Sequence, residues 1–280
     1  MIRGTTRLAA VIGWPVDHSR SPQMLNAAFA ARGIDAVLVP LGVEPSHLET
    51  MVAGLRAARA LGASVTIPHK VAVAKLCDQL SPAARAIGAV NCLHFTDGAL
   101  IGHNTDCDGF ADSLAEAGCA GAREVCILGV GGAARAVAFA LRGATRIQLV
   151  ARNPSRAAWV EALQQVVASQ LIVRSWSEIG EALSQADLVV DTTPIGLSAD
   201  EESLTDSIPL DAVRRDAWVT TLVYHRTTHL LSRARDRGNP ILDGRGMLVH
   251  QGARAFTIWT TSPAPVDAMR LALDDALRGT

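Results

Sequence analysis

Glu124-Val125-Cys126-Ile127-Leu128 is a nearly unbroken apolar run that feeds directly into Gly129-Val130-Gly131-Gly132-Ala133-Ala134-Arg135-Ala136. No other stretch of this 280-residue chain limits its fold as much. A short apolar run of this kind suits a parallel strand covered on both faces. Gly129-x-Gly131-x-x-Ala134 is a variant of the dinucleotide fingerprint, and it has the strand-then-helix setting the motif needs. Gly129 permits the tight turn, Gly131 lets the backbone approach a pyrophosphate, and Ala134 allows close helix–strand packing. The helix start adds free N–H groups and a favourable dipole. The bland alternative is an ordinary glycine-containing strand–helix turn.

The next strand, Arg146 to Val150, ends in Ala151-Arg152-Asn153-Pro154-Ser155-Arg156 without an acid. A site for NAD usually places Asp or Glu there for the ribose hydroxyl. Two arginines a helical turn apart instead suit a ribose phosphate, which favours NADP. Further strands are expected at Leu171–Val173, Leu188–Asp191, Trp218–Val223 and Pro240–Leu242. The alternation predicts an α/β fold with a Rossmann-type doubly wound sheet. Two closing helices follow, Met247–Thr260 and Val266–Arg278.

The first third reads as a second α/β body. Strands are expected at Leu8–Gly13, Val37–Val43 and Ala63–Ile67, with a hairpin of Val90–Phe95 and Leu100–His103 turned at Asp97-Gly98. Helices are expected at Pro22–Ala31 with Ser21 as N-cap, at Pro45–Leu61, and from Val71 onward. The predicted organisation is a substrate-binding and catalytic domain of residues 1–105 plus 245–280, and an NADP-binding domain of residues 106–244.

Composition narrows the partners. The formal net charge is −1 and 49% of residues are hydrophobic, so no nucleic-acid or membrane surface is indicated. The apolar run after Arg7 is too short for a span or signal, which leaves a cytoplasmic location as the expectation. Five cysteines without paired spacing point to reduced thiols. His103 and Cys107 lie four apart but no second pair joins them, so no metal is expected. Oligomeric state is not legible, and a homodimer is carried only as an open option.

Polar residues gather where the N-terminal strands end. Ser19 and Ser21 flank a helix start, which suits either a cap or a bound carboxylate. Ser64 and Thr66 share one strand face by the period of two. Lys70 follows a proline turn at that strand's carboxyl end, where its amine suits proton transfer to an alkoxide. Asn91 and Asp106 add polar groups. Asp106 reads either as a cap of the next helix or as the group that orients the Lys70 amine.

Gly13-Trp14-Pro15-Val16-Asp17-His18-Ser19-Arg20-Ser21-Pro22, Val65-Thr66-Ile67-Pro68-His69-Lys70, Gly88-Ala89-Val90-Asn91, Gly102-His103-Asn104-Thr105-Asp106-Cys107-Asp108-Gly109, Gly129 to Ala133, and Asp243-Gly244-Arg245-Gly246-Met247-Leu248-Val249-His250-Gln251-Gly252-Ala253 resemble the shikimate dehydrogenase family, in family order. The resemblance implies NADPH-dependent reduction of 3-dehydroshikimate to shikimate, on the way to chorismate and the aromatic amino acids. It implies Lys70 as acid/base with Asp106 as partner. Ser19 and Ser21 would take the substrate carboxylate, and Ser64, Thr66, Asn91, Asp106 and Gln251 the ring hydroxyls, with Tyr224 approaching the substrate. Gly129, Val130, Gly131, Gly132, Ala133, Ala151, Arg152, Asn153 and Arg156 would hold NADP. Leu222, Gly244 and Met247 would line its nicotinamide side. Met247 and Gln251 are four apart and so share a helix face. The site is expected in a cleft between the two domains.

Three positions depart from the family pattern. Ser64 stands in place of Asn, Ala151 stands in place of Asn before Arg152, and Val223 to His229 lacks a proline and is a residue shorter. The first and third leave quinate or an aminoshikimate open as alternative substrates. A non-catalytic NADP-binding sensor of the same fold is the other alternative, against which Lys70 and Asp106 argue.

Overall fold

The computed structural model describes residues 2–96, 98–196 and 205–278. The chain divides into two compact units, Met1–Gly109 with Leu248–Thr280, and Phe110–Met247.

The first unit carries β1 (Arg7–Gly13), α1 (Ser21–Ala31), β2 (Ala36–Gly42), α2 (Leu48–Ala57), β3 (Gly62–Val65), β4 (Gln79–Leu80), α3 (Pro82–Ile87), β5 (Cys92–Thr96) and β6 (Ala99–His103). Their sheet order is β2-β1-β3-β5-β6-β4. β1 lies parallel to β2 and β3, while β5 runs antiparallel to β3 and β6. Period-two alternation sorts β1 cleanly. Ala9 and Val11 join one core with Phe29, Phe256 and Met269, and Ala10 and Ile12 join the other with Val52, Leu55 and Leu93. The first of these faces is closed by the C-terminal helical segments, residues 245–260 and 266–278.

α4 (Asp106–Glu116) leads into the second unit, where β7 (Glu124–Leu128), α5 (Gly132–Ala140), β8 (Arg146–Ala151), α6 (Trp159–Gln164), β9 (Gln170–Ser175), α7 (Ile179–Gln185), β10 (Leu188–Asp191), β11 (Trp218–Thr221), α8 (His229–Asp236) and β12 (Ile241–Leu242) follow. All pairings here are parallel, in the order β12-β11-β10-β7-β8-β9. Counted from β7, this is the 3-2-1-4-5-6 winding of dinucleotide-binding sheets, and its direction reverses between β7 and β10. Val125 and Ile127 of β7 pack on one face with α4, α5 and α6, and Cys126 and Leu128 on the other with α7 and α8. The chain ends in α9 (Arg245–Thr260) and α10 (Val266–Arg278).

Several local expectations change. Ser21 is not the N-cap of α1 but its first residue; Arg20 holds the cap position, and the Ser19 hydroxyl accepts the Ser21 amide at 3.3 Å. The helix expected from Val71 is only a 3-10 turn over Val73–Leu76, pinned by the Val73 amide on the His69 carbonyl. The Pro45–Leu61 helix begins as a 3-10 turn and its α part stops at Ala57, because Arg59 takes a positive φ of 52° so that the chain can enter β3. The strand expected to reach Ile67 ends at Val65, and the one expected to reach Val223 ends at Thr221. Asp97 of the hairpin turn lies outside the described residues; Gly98 beside it has φ +97°. Among the described residues no helix is long and apolar enough to cross a membrane. Four of the five thiols are buried, and burial pushes Cys119 to about 11 and Cys126 to about 12.

Candidate active site

The first unit builds a polar cluster around one asparagine. The Asn91 amide donates to the His103 carbonyl at 3.1 Å and its carbonyl accepts the Val65 amide at 2.8 Å, which straps it between β3 and β6. Its side-chain oxygen accepts the Thr105 amide at 2.6 Å. Its Nδ2 faces Asp106 Oδ1 at 2.8 Å, Thr105 Oγ1 at 2.9 Å and Gln251 Oε1 at 3.4 Å. Two protons serve three acceptors, so the longest contact, to Gln251, is the one most readily given up to a ligand.

Lys70 completes the group. Its carbonyl accepts the Val90 amide at 2.7 Å, fixing its backbone beside Asn91. Its Nζ donates to Asp106 Oδ2 at 2.8 Å, with the two side chains 17% and 6% exposed. Asp106 thus accepts through both oxygens. Its alternative reading as a helix cap is displaced, because Asn104 Oδ1 accepts the Cys107 amide at 3.2 Å. Asp106 is the only partner of the Lys70 ammonium among the described residues, so protons remain for a ligand.

Gln251 reaches the cluster because two helices approach closely. A Cβ on Gly109 of α4 would stand 2.6 Å from the Gln251 amide nitrogen of α9. The Gln251 Nε2 donates to the Leu248 carbonyl at 2.8 Å, which aims its oxygen toward Asn91. Ser64 is buried in β3, in register with Val11 and Cys92. Thr66 is half-buried just beyond, over Gly13, whose missing side chain leaves room for the Thr66 methyl. Ser19 and Ser21 stand at the start of α1. None of these four hydroxyls bonds to Lys70, Asn91 or Asp106 among the described residues. His69, which the sequence did not single out, is buried with its Nε2 2.7 Å from the Val43 carbonyl and anchors the turn before Lys70.

The second unit holds the glycine turn. Gly129 has φ +105°, and a Cβ there would come 2.8 Å from Thr192 Oγ1. Gly131 caps α5 without a side-chain bond, and the space around its Cα is open. Gly132 and Ala133 are the first residues of α5. The Trp159 indole donates to the Val130 carbonyl at 3.1 Å, and the Arg135 guanidinium lies 5.3 Å over the Trp159 ring. Arg135 Nε is buried without a partner among the described residues. An open backbone cradle beside an uncompensated, partly buried cation fits the pyrophosphate of a dinucleotide. Arg135 and Trp159 were not legible as a pair, since their contact joins two helices across the turn.

Ala151 is buried at the end of β8, while Arg152 and Arg156 are exposed and without ion pairs among the described residues. That leaves both guanidinium groups available to a phosphate. Asn153 Oδ1 accepts the Ser155 amide and hydroxyl and so caps the 3-10 turn that carries Arg156. Gly244 packs directly on the Leu222 carbonyl, a contact that excludes any side chain there. Met247 is buried in the core on the α5 face of the sheet. Tyr224 stands in this same unit, edge-on to His225 at 5.8 Å, with its carbonyl accepting Arg245 Nε at 3.3 Å.

A doubly wound sheet with a glycine turn at its reversal point, together with a lysine–carboxylate pair on a separate α/β unit, defines a dinucleotide-dependent oxidoreductase. Residues 11–93 match the model of the shikimate dehydrogenase substrate binding domain, and residues 244–273 that of the shikimate 5'-dehydrogenase C-terminal domain. A shikimate dehydrogenase (NADP(+)) of Symbiobacterium thermophilum is 43% identical, over 99% of this chain and 97% of its own. A solved shikimate dehydrogenase in complex with NADP+ superposes with TM-score 0.90 at 33% identity, covering 99% of this chain and 98% of that one. A quinate dehydrogenase from Corynebacterium glutamicum in complex with NAD gives TM-score 0.88 at 30% identity, over 96% and 99%. The chain belongs to the shikimate dehydrogenase family.

Proposed function

We propose that the protein reduces 3-dehydroshikimate to shikimate, reversibly, with NADPH, as a step of aromatic amino-acid and chorismate biosynthesis. The observation that carries this reading is the Lys70–Asp106 pair at 2.8 Å, held by Asn91 and with ammonium protons to spare. When bound, NADPH supplies the hydride that reduces the ring ketone.

The chain's own residues do the rest. Lys70 delivers a proton from Nζ to the oxygen on which charge develops, and takes it back in the reverse direction. Asp106 holds that amine in place with one oxygen and leaves the other to Asn91. Asn91, Gln251, Thr66 and Ser64 read the ring hydroxyls. Ser19, Ser21 and the start of α1 bind the carboxylate, where backbone N–H groups favour an anion. Residues 1–105 with 245–280 act as the substrate domain and 106–244 as the NADP domain. Gly129 to Ala133 cradle the pyrophosphate, Ala151 to Arg156 the adenosine side, and Leu222, Gly244 and Met247 the nicotinamide side. Tyr224 approaches the substrate. The protein works in the cytoplasm.

A second reading is favoured by the fold likeness to a quinate dehydrogenase and by a serine at position 64: turnover of quinate, or of an aminoshikimate. Comparing kcat/KM for shikimate, quinate and aminoshikimate, each with NADP and NAD, separates them. Shikimate with NADP is expected to lead every other pair; a preference for quinate, or for NAD, would replace the first reading by the second.

A further inference from the structure

Asp191 ends β10 at the point where the strand order of the second unit reverses, beside the turn that follows β7. Ligands of such sheets bind outside the strand ends at this reversal. The side chain is 1% exposed, and its Oδ2 has no hydrogen-bond partner among the described residues. Its Oδ1 accepts the Thr193 amide at 2.9 Å and the Thr193 hydroxyl at 2.7 Å, and Thr193 Oγ1 in turn accepts the Ile195 amide at 3.2 Å. This chain of short-range bonds shapes the segment 192–196. Its consequence falls on the glycine turn: Thr192 is directed back to β7, its hydroxyl donating to the Leu128 carbonyl at 2.7 Å and pressing on Gly129.

We propose that Asp191 is a positioning residue for the dinucleotide turn: its carboxyl group seats Thr192 against Gly129, and its ionisation weakens the hold on the anionic cofactor. The inference rests on the reading of this unit as an NADP site. The surroundings of the carboxyl are neutral. Its register neighbours are Leu128 on β7 and Thr221 on β11, and α7 and α8 present Ile179, Leu183 and Leu230 to that face. Charged groups on the flanking elements are engaged elsewhere or, like Arg235 and Asp236 of α8, exposed to solvent. Glu178 and Glu181 pair with Arg174, Arg233 and His229 lie near Asp206, and Arg226 donates to the Gly196 carbonyl. Burial accordingly raises the carboxyl to about 6, against the Thr193 bonds that lower it. The carboxyl is neutral below that value and becomes a buried anion behind the glycine turn above it.

The test is NADP+ binding by calorimetry, for the wild-type chain and for Asp191→Asn, from about pH 5 to about pH 8. The amide keeps an acceptor for Thr193 and cannot ionise. The ligand's own phosphate titrates near ~6 in both proteins, so the ratio of the two dissociation constants is the readout. Wild-type affinity is expected to fall relative to Asp191→Asn as pH rises through about 6, by on the order of three- to tenfold. Asp191→Ala, which frees Thr193, should raise the KM for NADP at every pH and leave that for shikimate unchanged. Thermal melting of the ligand-free proteins gives an independent reading. A carboxyl raised above its unfolded value contributes stability that is full below 3.8 and lost as pH rises through about 6. Asp191→Asn should therefore melt higher than wild type at about pH 8, with the gain shrinking toward about pH 5. Superimposable binding profiles of wild type and Asp191→Asn overturn the inference alone, even if melting shows the titration. A wild-type chain that does not bind NADP+ overturns the functional reading, and the inference with it.

Discussion

Arg152 follows β8 and Arg156 lies in the 3-10 turn just after it, both exposed, with no acidic side chain between them and no ion pair among the described residues. Guanidinium forks recognise a phosphate dianion through charge-assisted hydrogen bonds. Hydrogen bonds to a charged group contribute about 1.5–3 kcal/mol each, so losing both forks should cost about a hundredfold or more in affinity. The double variant Arg152→Ala, Arg156→Ala is expected to raise the KM for NADP by that factor or more while changing the KM for NAD little. Equal losses with the two dinucleotides would show that the arginines support the turn and do not select the 2'-phosphate. NADP was the expectation these residues gave, because a charge and a short spacing can be read without a fold. The function of Asn104 was not legible, since its capping bond to Cys107 had to be told apart from that of Asp106, two residues on.

α4 and α9 meet where Gly109 faces the backbone of Gln251. An added methyl at 2.6 Å from the Gln251 amide nitrogen must push one helix or the other aside. Overpacking of this kind typically costs about 1–3 kcal/mol. Gly109→Ala is therefore expected to lower the melting temperature and, by displacing the Gln251 oxygen from Asn91, to raise the KM for shikimate more than that for NADP. Melting curves and the two KM values check this; an equal rise in both would place the damage in general packing. Elements with a strong period were readable at this scale, and β1, β7, β10 and α10 lie within a residue or so of expectation. The segment after Val71 was not. Its helix-compatible residues are held in a 3-10 turn by contacts that begin at His69 and Val43, far apart in sequence. β4 and α3 were missed because a two-residue strand and a six-residue helix carry too short a pattern to read.

At the scale of the whole molecule, the doubly wound sheet followed from one strand–turn–helix passage and the rhythm after it, because a parallel sheet must bury both faces of its strands. The sheet order and the strand reversal that brings Asp191 to the glycine turn did not follow, since they depend on pairings between distant segments. The same limit applies to the proton-handling cluster. Lys70, Asn91, Asp106 and Gln251 were each named from sequence, but Asn91 as the hub that joins Asp106 to Gln251, with Lys70 reached through Asp106, needed coordinates. With proton delivery proposed at Lys70 in one unit and cofactor binding at residues of the other, overall turnover is the most direct test of the mechanism. In NADPH oxidation with 3-dehydroshikimate, the wild-type chain should turn over. Lys70→Ala should lose on the order of 10²–10⁴ in kcat while still binding NADP+ and substrate. Near-normal kcat in Lys70→Ala, or a wild-type chain that binds both ligands without oxidising NADPH, would contradict it.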